Sequence, residues 1–255
     1  MKKPSNSHRF ALYCNELSDL VMKAQNNRLS FKNKELFNRM INILRMRAGE
    51  IVVLFDQNMQ ISIMLDAEMF KDRNEIMGNF SGVISHIPIE PKLTLAIGIT
   101  KKEAFLEITY LACQMGVTQI IPLITDKVQR EWGGAKEEQK LFTTMVAAAE
   151  QSKNFIFPTI AQPQTLQSLI QNYSDPKTGR AYFEPNGNSF FELLQSIHKK
   201  TYNEVIIVIG PEGGLTTQEQ EGLSKNGFEK YQLTPTILRS IEAVAVAVGA
   251  IRSSA

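Results

Sequence analysis

Two rhythms of apolar and polar positions divide this chain. As far as residue 87 the apolar runs are short, and several alternate on a period of two: "RFALY" (9–13), "IVVLF" (51–55), "QISIML" (60–65) and "FSGVISHI" (80–87). That period predicts half-buried strands. Between the first two runs, "FKNKELFNRMINILRM" places Phe31, Leu36, Phe37, Met40, Ile41 and Leu44 on one helical face. Lys32, Lys34, Arg39 and Arg45 fall on the opposite face, and Gly49 follows as the expected stop. A small β-rich domain with one basic helix is predicted. "IPIEPKL" (87–93) carries two prolines in a short span and marks the boundary, giving domains 1–88 and 89–255.

Beyond the boundary the rhythm becomes strand, helix, strand. "LTLAIGI" (93–99) is a continuous apolar run, and "KEAFLEITYLACQMG" has apolar residues at helical spacing with Gly116 as its stop. "VTQIIPLI" (117–124) reads as the next strand and "KLFTTMVAAAEQSK" (140–153) as a further helix. "NYSDPKTGR" (172–180) reads as a polar turn. "EVIIVIG" (204–210) is a buried strand, Thr216 and Glu219 have capping-box spacing for a helix to about Asn226, and "FEKYQL" (228–233) is the last strand. The alternation predicts an α/β domain with a mostly parallel, helix-covered sheet. "EAVAVAVGAI" (242–251) is ambiguous: it alternates like a strand, yet it is apolar all round and rich in alanine.

Charge and cysteine content change this picture only a little. The 255 residues carry a net +2, but residues 1–50 hold ten Lys and Arg against four Asp and Glu, so +6 sits there and −4 in the rest. A basic front end suits a polyanion, or is simply a solvated face. No apolar run is long enough for a transmembrane helix, and "MKKPSNSHRF" lacks the apolar core of a secretory signal. Cys14 and Cys113 make no metal-ligand spacing, which fits a reducing, cytoplasmic location without membrane or metal.

Ligands of an open parallel sheet sit beyond the carboxyl ends of its strands. Three loops are expected to meet there: Thr100–Ala104, Gly210–Leu215 and Thr234–Ser240. Gly210, Gly213 and Gly214 allow close backbone approach, while Pro211 stiffens the turn. Glu212 is a poor neighbour for phosphate, and neither GxGxxG nor GxxxxGK[ST] is present. Its carboxylate suits backbone donors or a cationic or zwitterionic ligand better. A tight strand-to-helix turn without a ligand is the competing explanation of the same residues.

"IGPEGGLTTQE", followed by "LTPTILRSIEAVAVAVGAI", resembles the RsmE family, SPOUT-class methyltransferases acting on N3 of a uridine in small-subunit (16S) ribosomal RNA. "NILRMRAGEIVVLFDQN", "AIGITKKEAFLEITYLACQMGVTQIIPLITDKV" and "MVAAAEQSKNFIFPTI" resemble other family segments in the family's order, so the likeness spans nearly the whole chain. It implies a PUA-like amino-terminal domain that helps bind RNA. It implies a trefoil-knotted catalytic domain whose last segment is a threaded helix, a topology that sequence rules would never propose. It also implies a homodimer, with S-adenosylmethionine seated in the knot.

On that resemblance the donor-binding residues are Ile97, Gly98, Ile209, Gly210, Pro211, Glu212, Gly213, Gly214, Leu233, Ile237, Leu238 and Ala243. Arg239 is the candidate for stabilising negative charge on the uracil oxygens, and Ser240 for orienting the base or ligand. Arg9, Lys32, Arg39, Arg45, Arg47, Lys101, Lys102 and Arg130 are the candidate RNA contacts. Thr234 and Thr236 stand where the family usually has glycine and arginine, and Asn154 where arginine is common. Those departures motivate an alternative: a catalytically weak or inactive SPOUT-fold protein for RNA binding or ribosome assembly. A third possibility is an unrelated α/β ligand-binding protein.

Overall fold

The computed structural model describes residues 9–70, 75–199 and 202–254. Lys2 and Lys3, counted in the basic front end, lie outside them. The chain divides into two compact units, residues 1–87 and 88–255.

The first unit runs β1 (Ala11–Tyr13), α1 (Leu17–Lys23), β2 (Arg28–Lys32), α2 (Lys34–Asn38), β3 (Ile51–Phe55), β4 (Met59–Leu65) and β5 (Glu75–Ser85). Its five-stranded sheet has the order β1-β3-β4-β5-β2, antiparallel except for the β1–β3 pair. The basic helix is shorter than its apolar periodicity predicts. Phe31 and Lys32 end β2, and Asn33 caps α2 by accepting a hydrogen bond from the Leu36 N–H at 2.9 Å. The helix continues as a π turn, Arg39–Ile43, and the backbone leaves it at Arg45 (φ 55°), four residues ahead of Gly49. An Asn cap and a left-handed residue override the periodic pattern at both ends.

The second unit contains β6 (Lys92–Gly98), α3 (Lys102–Gln114), β7 (Gln119–Ile124), α4 (Ala135–Ser152), β8 (Thr159–Ile160), β9 (Gln164–Thr165) and α5 (Leu166–Asn172). It continues with β10 (Thr178–Ser189), α6 (Phe190–His198), β11 (Glu204–Ile209), α7 (Thr217–Lys225), β12 (Glu229–Gln232) and α8 (Ser240–Ser254). The sheet order is β12-β10-β11-β6-β7-β8, with β9 also on β7, and every pairing is parallel. Helices cover both faces, which is why β6 and β11 read as unbroken apolar runs. Val205, Ile207 and Ile209 enter one core with α3, α6 and α8, whereas Ile206 and Val208 enter the other with α5 and α7.

Two segments differ from expectation or resolve an ambiguity. "NYSDPKTGR" is only partly a turn, because Thr178 opens β10, a strand flanked on both sides within the sheet. The final segment is helical: Ala243, Val244, Ala247, Val248 and Ile251 are buried at three- and four-residue spacing. Arg252 anchors its end, donating from Nη1 to the Pro91 carbonyl at 2.8 Å and from Nη2 to that of Gly116. Cys14 and Cys113 are buried free thiols whose pKa values burial pushes up to about 11 and about 12. Among the described residues no helix is long and apolar enough to cross a membrane.

Candidate functional site

The chain fills the sheet from β6 outward through β7, then returns to the other side of β6 with β10 and β11. The order therefore reverses between β6 and β11, and ligands of open α/β sheets bind beyond the carboxyl ends of strands at such a point. The loop that leaves β11 there, Gly210–Leu215, is held by backbone packing that glycine alone permits. A Cβ on Gly98 would lie 2.4 Å from Pro211 Cδ, and one on Gly210 would lie 2.9 Å from the Gly214 carbonyl carbon. Gly214 has φ 67°, and its N–H closes the turn onto the Pro211 carbonyl at 2.8 Å.

Side chains from neighbouring loops fix the turn further. Glu212 Oε1 accepts the Lys101 N–H at 3.1 Å, clasping the glycine loop to the loop after β6. Of the two roles its carboxylate suits, backbone acceptor is the one this geometry displays. Lys127 Nζ donates to the carbonyls of Gly213 (2.9 Å) and Leu215 (3.3 Å). The capping box forms: Thr216 Oγ1 accepts from the Glu219 N–H, and Glu219 Oε2 accepts from the Thr216 N–H at 2.7 Å. The other oxygen of Glu219 accepts the Asp126 N–H at 2.9 Å, joining the loop after β7 to the same turn. Ser240 Oγ donates to the Gly210 carbonyl at 3.2 Å, and Thr234 Oγ1 donates to the Thr236 carbonyl at 2.7 Å. Both hydroxyls hold loop backbone.

The glycine turn and the 233–240 loop enclose a cleft of about 330 Å³, within the range of small-molecule sites, whereas the loop Thr100–Ala104, expected to meet them there, braces the turn through Lys101 without lining the cleft. Ile209, Gly210, Pro211, Glu212, Gly213, Gly214, Leu233, Ile237, Leu238, Arg239, Ser240 and Ala243 all line it. Ile97 and Gly98 do not: Ile97 is core, and Gly98 backs the Pro211 ring. Phe183, Glu184 and Pro185 line it from the outer end of β10, and were missed because the polar run "EPNGNS" hides that strand's end. The apolar triplet "AYF" ahead of an acid was the available signal. Lys127 was missed as well, since nothing in its local sequence announces a contact 86 residues away.

Arg239 stands at the cleft mouth with its side chain 79% exposed. Its guanidinium pairs with Glu242, Nε lying 3.1 and 3.2 Å from the two carboxylate oxygens, and the arginine holds the Glu242 carboxyl below its ordinary range. An exposed pair of this kind exchanges readily for another anion.

The candidate RNA contacts divide differently. Arg9, Lys32, Arg45 and Arg47 are exposed on the first unit, where Arg39 is half-buried, and Lys101 and Lys102 are exposed at the start of α3. Arg130 departs from expectation, because its donors are committed inside its own unit. It donates to the Thr100 carbonyl at 2.6 Å and forms a two-pronged pair with Glu137, the side chains being 17% and 8% exposed. It therefore supports the loop after β6. Among the described residues no cluster of His, Cys, Asp or Glu is arranged as metal ligands.

A parallel, helix-covered sheet with a glycine-lined cleft at its strand-order reversal defines an α/β ligand-binding protein. The chain belongs to the family described as RNA methyltransferase domain, whose model matches residues 88–252. That membership sets aside an unrelated α/β protein. Relatives bear out the RsmE resemblance by name: the ribosomal RNA small subunit methyltransferase E of Rickettsia conorii is 26% identical over 90% of this chain and 91% of its own length. The protein of that name from Bacillus subtilis is 26% identical over 85% of this chain and 87% of its own. Among solved structures, the methyltransferase E of Neisseria gonorrhoeae, bound to S-adenosyl methionine, superposes with a TM-score of 0.78 at 18% identity, covering 96% of this chain and 98% of its own. A putative methyltransferase of Legionella pneumophila, in complex with the bound cofactor SAM, gives 0.76 at 22%, covering 96% and 98%. At those identities the structural likeness speaks for the fold.

Proposed function

We propose that this protein methylates N3 of a uridine in 16S ribosomal RNA of the small ribosomal subunit, using S-adenosylmethionine. The observation that carries the reading is the backbone-built cleft with an exposed arginine at its mouth, in a chain of the RNA methyltransferase family. The cleft suits this donor. It lacks a phosphate-binding sequence motif, and Phe183, Leu233, Ile237 and Leu238 supply apolar surface for a flat purine. When bound, S-adenosylmethionine supplies an electrophilic methyl group on a sulfonium.

The chain's own part is positioning and electrostatics. Main-chain groups of Ile209–Gly214 and the 233–238 loop hold the donor, with Gly98 and Ile97 supporting them from behind. Ser240 keeps the two loops in register through Gly210. Arg239 exchanges Glu242 for the uracil oxygens, stabilising the negative charge the ring gains as N3 gives its proton to water; N3 then takes the methyl group and S-adenosylhomocysteine leaves. Lys101 and Lys102 border this edge of the sheet, while Arg9, Lys32, Arg39, Arg45 and Arg47 of a PUA-like first domain (1–88) meet the RNA backbone. The second domain (89–255) is a SPOUT-type trefoil knot closed by α8, and the protein works as a cytoplasmic homodimer.

Calorimetry with S-adenosylmethionine is the first test, and absence of binding at millimolar ligand would end the reading. The second is nucleoside mass spectrometry of small subunits from cells lacking the gene, with and without added protein. N3-methyluridine is expected to vanish and be restored. RNA binding without methyl transfer would identify an inactive assembly protein instead.

Two variants probe the supporting contacts. Glu212→Ala removes the clasp to Lys101, and at an exposed site the loss is about 1 kcal/mol, or roughly fivefold in donor affinity by calorimetry. Replacing Lys32, Arg45 and Arg47 together is expected to flatten the plot of log binding constant against log salt by about 0.7–0.9 per residue. An unchanged slope would remove that face from the RNA interface.

A further inference from the structure

β10 brings to the cleft a carboxylate whose role the preceding reading leaves open. Tyr182 of β10 is in register with Val208 of β11, so Glu184 lies level with Gly210, the first residue of the glycine turn. Glu184 Oε1 accepts a hydrogen bond from Gln220 Nε2 at 3.0 Å, and Gln220 also reaches the Leu215 carbonyl at 3.4 Å. The side chain is thereby fixed at the cleft wall. The residue is half-buried at the cleft wall, and its second oxygen takes no hydrogen bond from the described residues, leaving it open to a donor in the cleft.

The surrounding charges narrow the kind of donor. Burial holds the Glu184 carboxyl above its ordinary range, outweighing the opposite pull of Lys127 and Lys230. Lys127 is anchored on the carbonyls of Gly213 and Leu215, and Lys230 on Asn186 Oδ1 at 3.2 Å. Both ammonium groups are thus spent on other acceptors, and neither hydrogen-bonds Glu184. It remains a strong directional acceptor. The acid stands just past the end of the stretch of β10 that pairs with β11, the strand carrying the glycine turn, and an acid at the end of a neighbouring strand holds a ribose hydroxyl in dinucleotide-binding sheets.

We propose that Glu184 accepts hydrogen bonds from the ribose hydroxyls of the adenosyl ligand, fixing the nucleoside half of the donor against the glycine turn. This rests on the donor reading above. It assigns to Glu184 recognition of the part that the donor and its spent product share, so the residue sets affinity for the adenosyl group.

The test is a coupling cycle by calorimetry on the full chain. Wild type, Glu184→Ala and Glu184→Gln are titrated with S-adenosylhomocysteine, 5′-methylthioadenosine and the 2′-deoxy and 3′-deoxy forms of the latter. In wild type, loss of the contacted hydroxyl is expected to weaken binding about tenfold. Glu184→Ala is expected to weaken methylthioadenosine about tenfold with no further loss on removing that hydroxyl, and Glu184→Gln to fall between. An equal deoxy penalty in wild type and Glu184→Ala overturns the assignment. So does a variant that weakens S-adenosylhomocysteine while leaving methylthioadenosine untouched, which would place the contact at the amino-acid end. If wild type binds none of the four ligands, the donor reading fails and this proposal with it; if it binds them without coupling, only the role of Glu184 falls.

Discussion

Gly98→Ala is expected to raise the dissociation constant for S-adenosylmethionine about 10–100-fold. Gly98 does not line the cleft, yet its added Cβ would meet Pro211 Cδ at 2.4 Å, Pro211 N at 2.5 Å and the Gly210 carbonyl carbon at 3.1 Å. None of these is the yielding tip of a long side chain. Gly98 is paired with Leu123 in the middle of the parallel sheet, so the strand is the less movable partner. The glycine turn must give way, and with it the main-chain groups that line the cleft. Overpacking of this kind costs about 1–3 kcal/mol, and each 1.4 kcal/mol taken from the binding-competent loop is a factor of ten in affinity. Gly222→Ala is the control: it sits in α7, a Cβ there meets nothing within 4 Å, and alanine favours helix. Calorimetry on both variants, with thermal melts, checks the expectation. A Gly98→Ala protein that binds the donor within twofold of wild type would show that the turn is not seated on β6 as described.

The parts of this fold that were legible in the sequence are those where local pattern and tertiary role agree. The apolar runs at 93–99 and 204–210 are buried strands because helices cover both faces, and Thr216 with Glu219 forms the cap their spacing announces. β10 was illegible for a physical reason. Its apolar part is brief, its start lies in a run of turn residues, and its end is the polar "EPNGNS", whose Gly187 packs against the Tyr231 backbone. Losing β10 meant losing Glu184. Periodicity alone left α8 undecided, since alternating alanine and valine satisfies a strand as well as a buried helix; packing on α3 and α6 decides it. Charge was the least reliable guide. Arg130 counts as a basic residue in sequence and is a structural strut beside Glu137, whereas Glu212, odd in a ligand loop, is the pin that holds the loop to Lys101.

Arg239→Ala is expected to lower methyl transfer to small-subunit RNA about 10²–10³-fold while leaving the affinity for S-adenosylmethionine within a few fold of wild type. The separation follows from where the side chain stands. Its exposed guanidinium pairs with Glu242 and takes no part in the loop contacts of Thr234 and Ser240, so removing it leaves those in place. On the proposed function, what disappears is the cation at the cleft mouth that would stabilise the ring as N3 gives up its proton. Loss of one such preorganised group costs two to three orders of magnitude in other enzymes that stabilise a developing oxyanion. Arg239→Lys keeps the charge but not the planar fork, and is expected to recover only part of the rate. Glu242→Gln tests the exchange from the other side: it frees the guanidinium without removing it, so transfer is expected to hold or rise. Single-turnover methylation with labelled donor, beside calorimetry on the same preparations, separates chemistry from binding. Equal loss of donor affinity and rate in Arg239→Ala would make the arginine a loop brace, and full activity in that variant would remove it from the chemistry altogether.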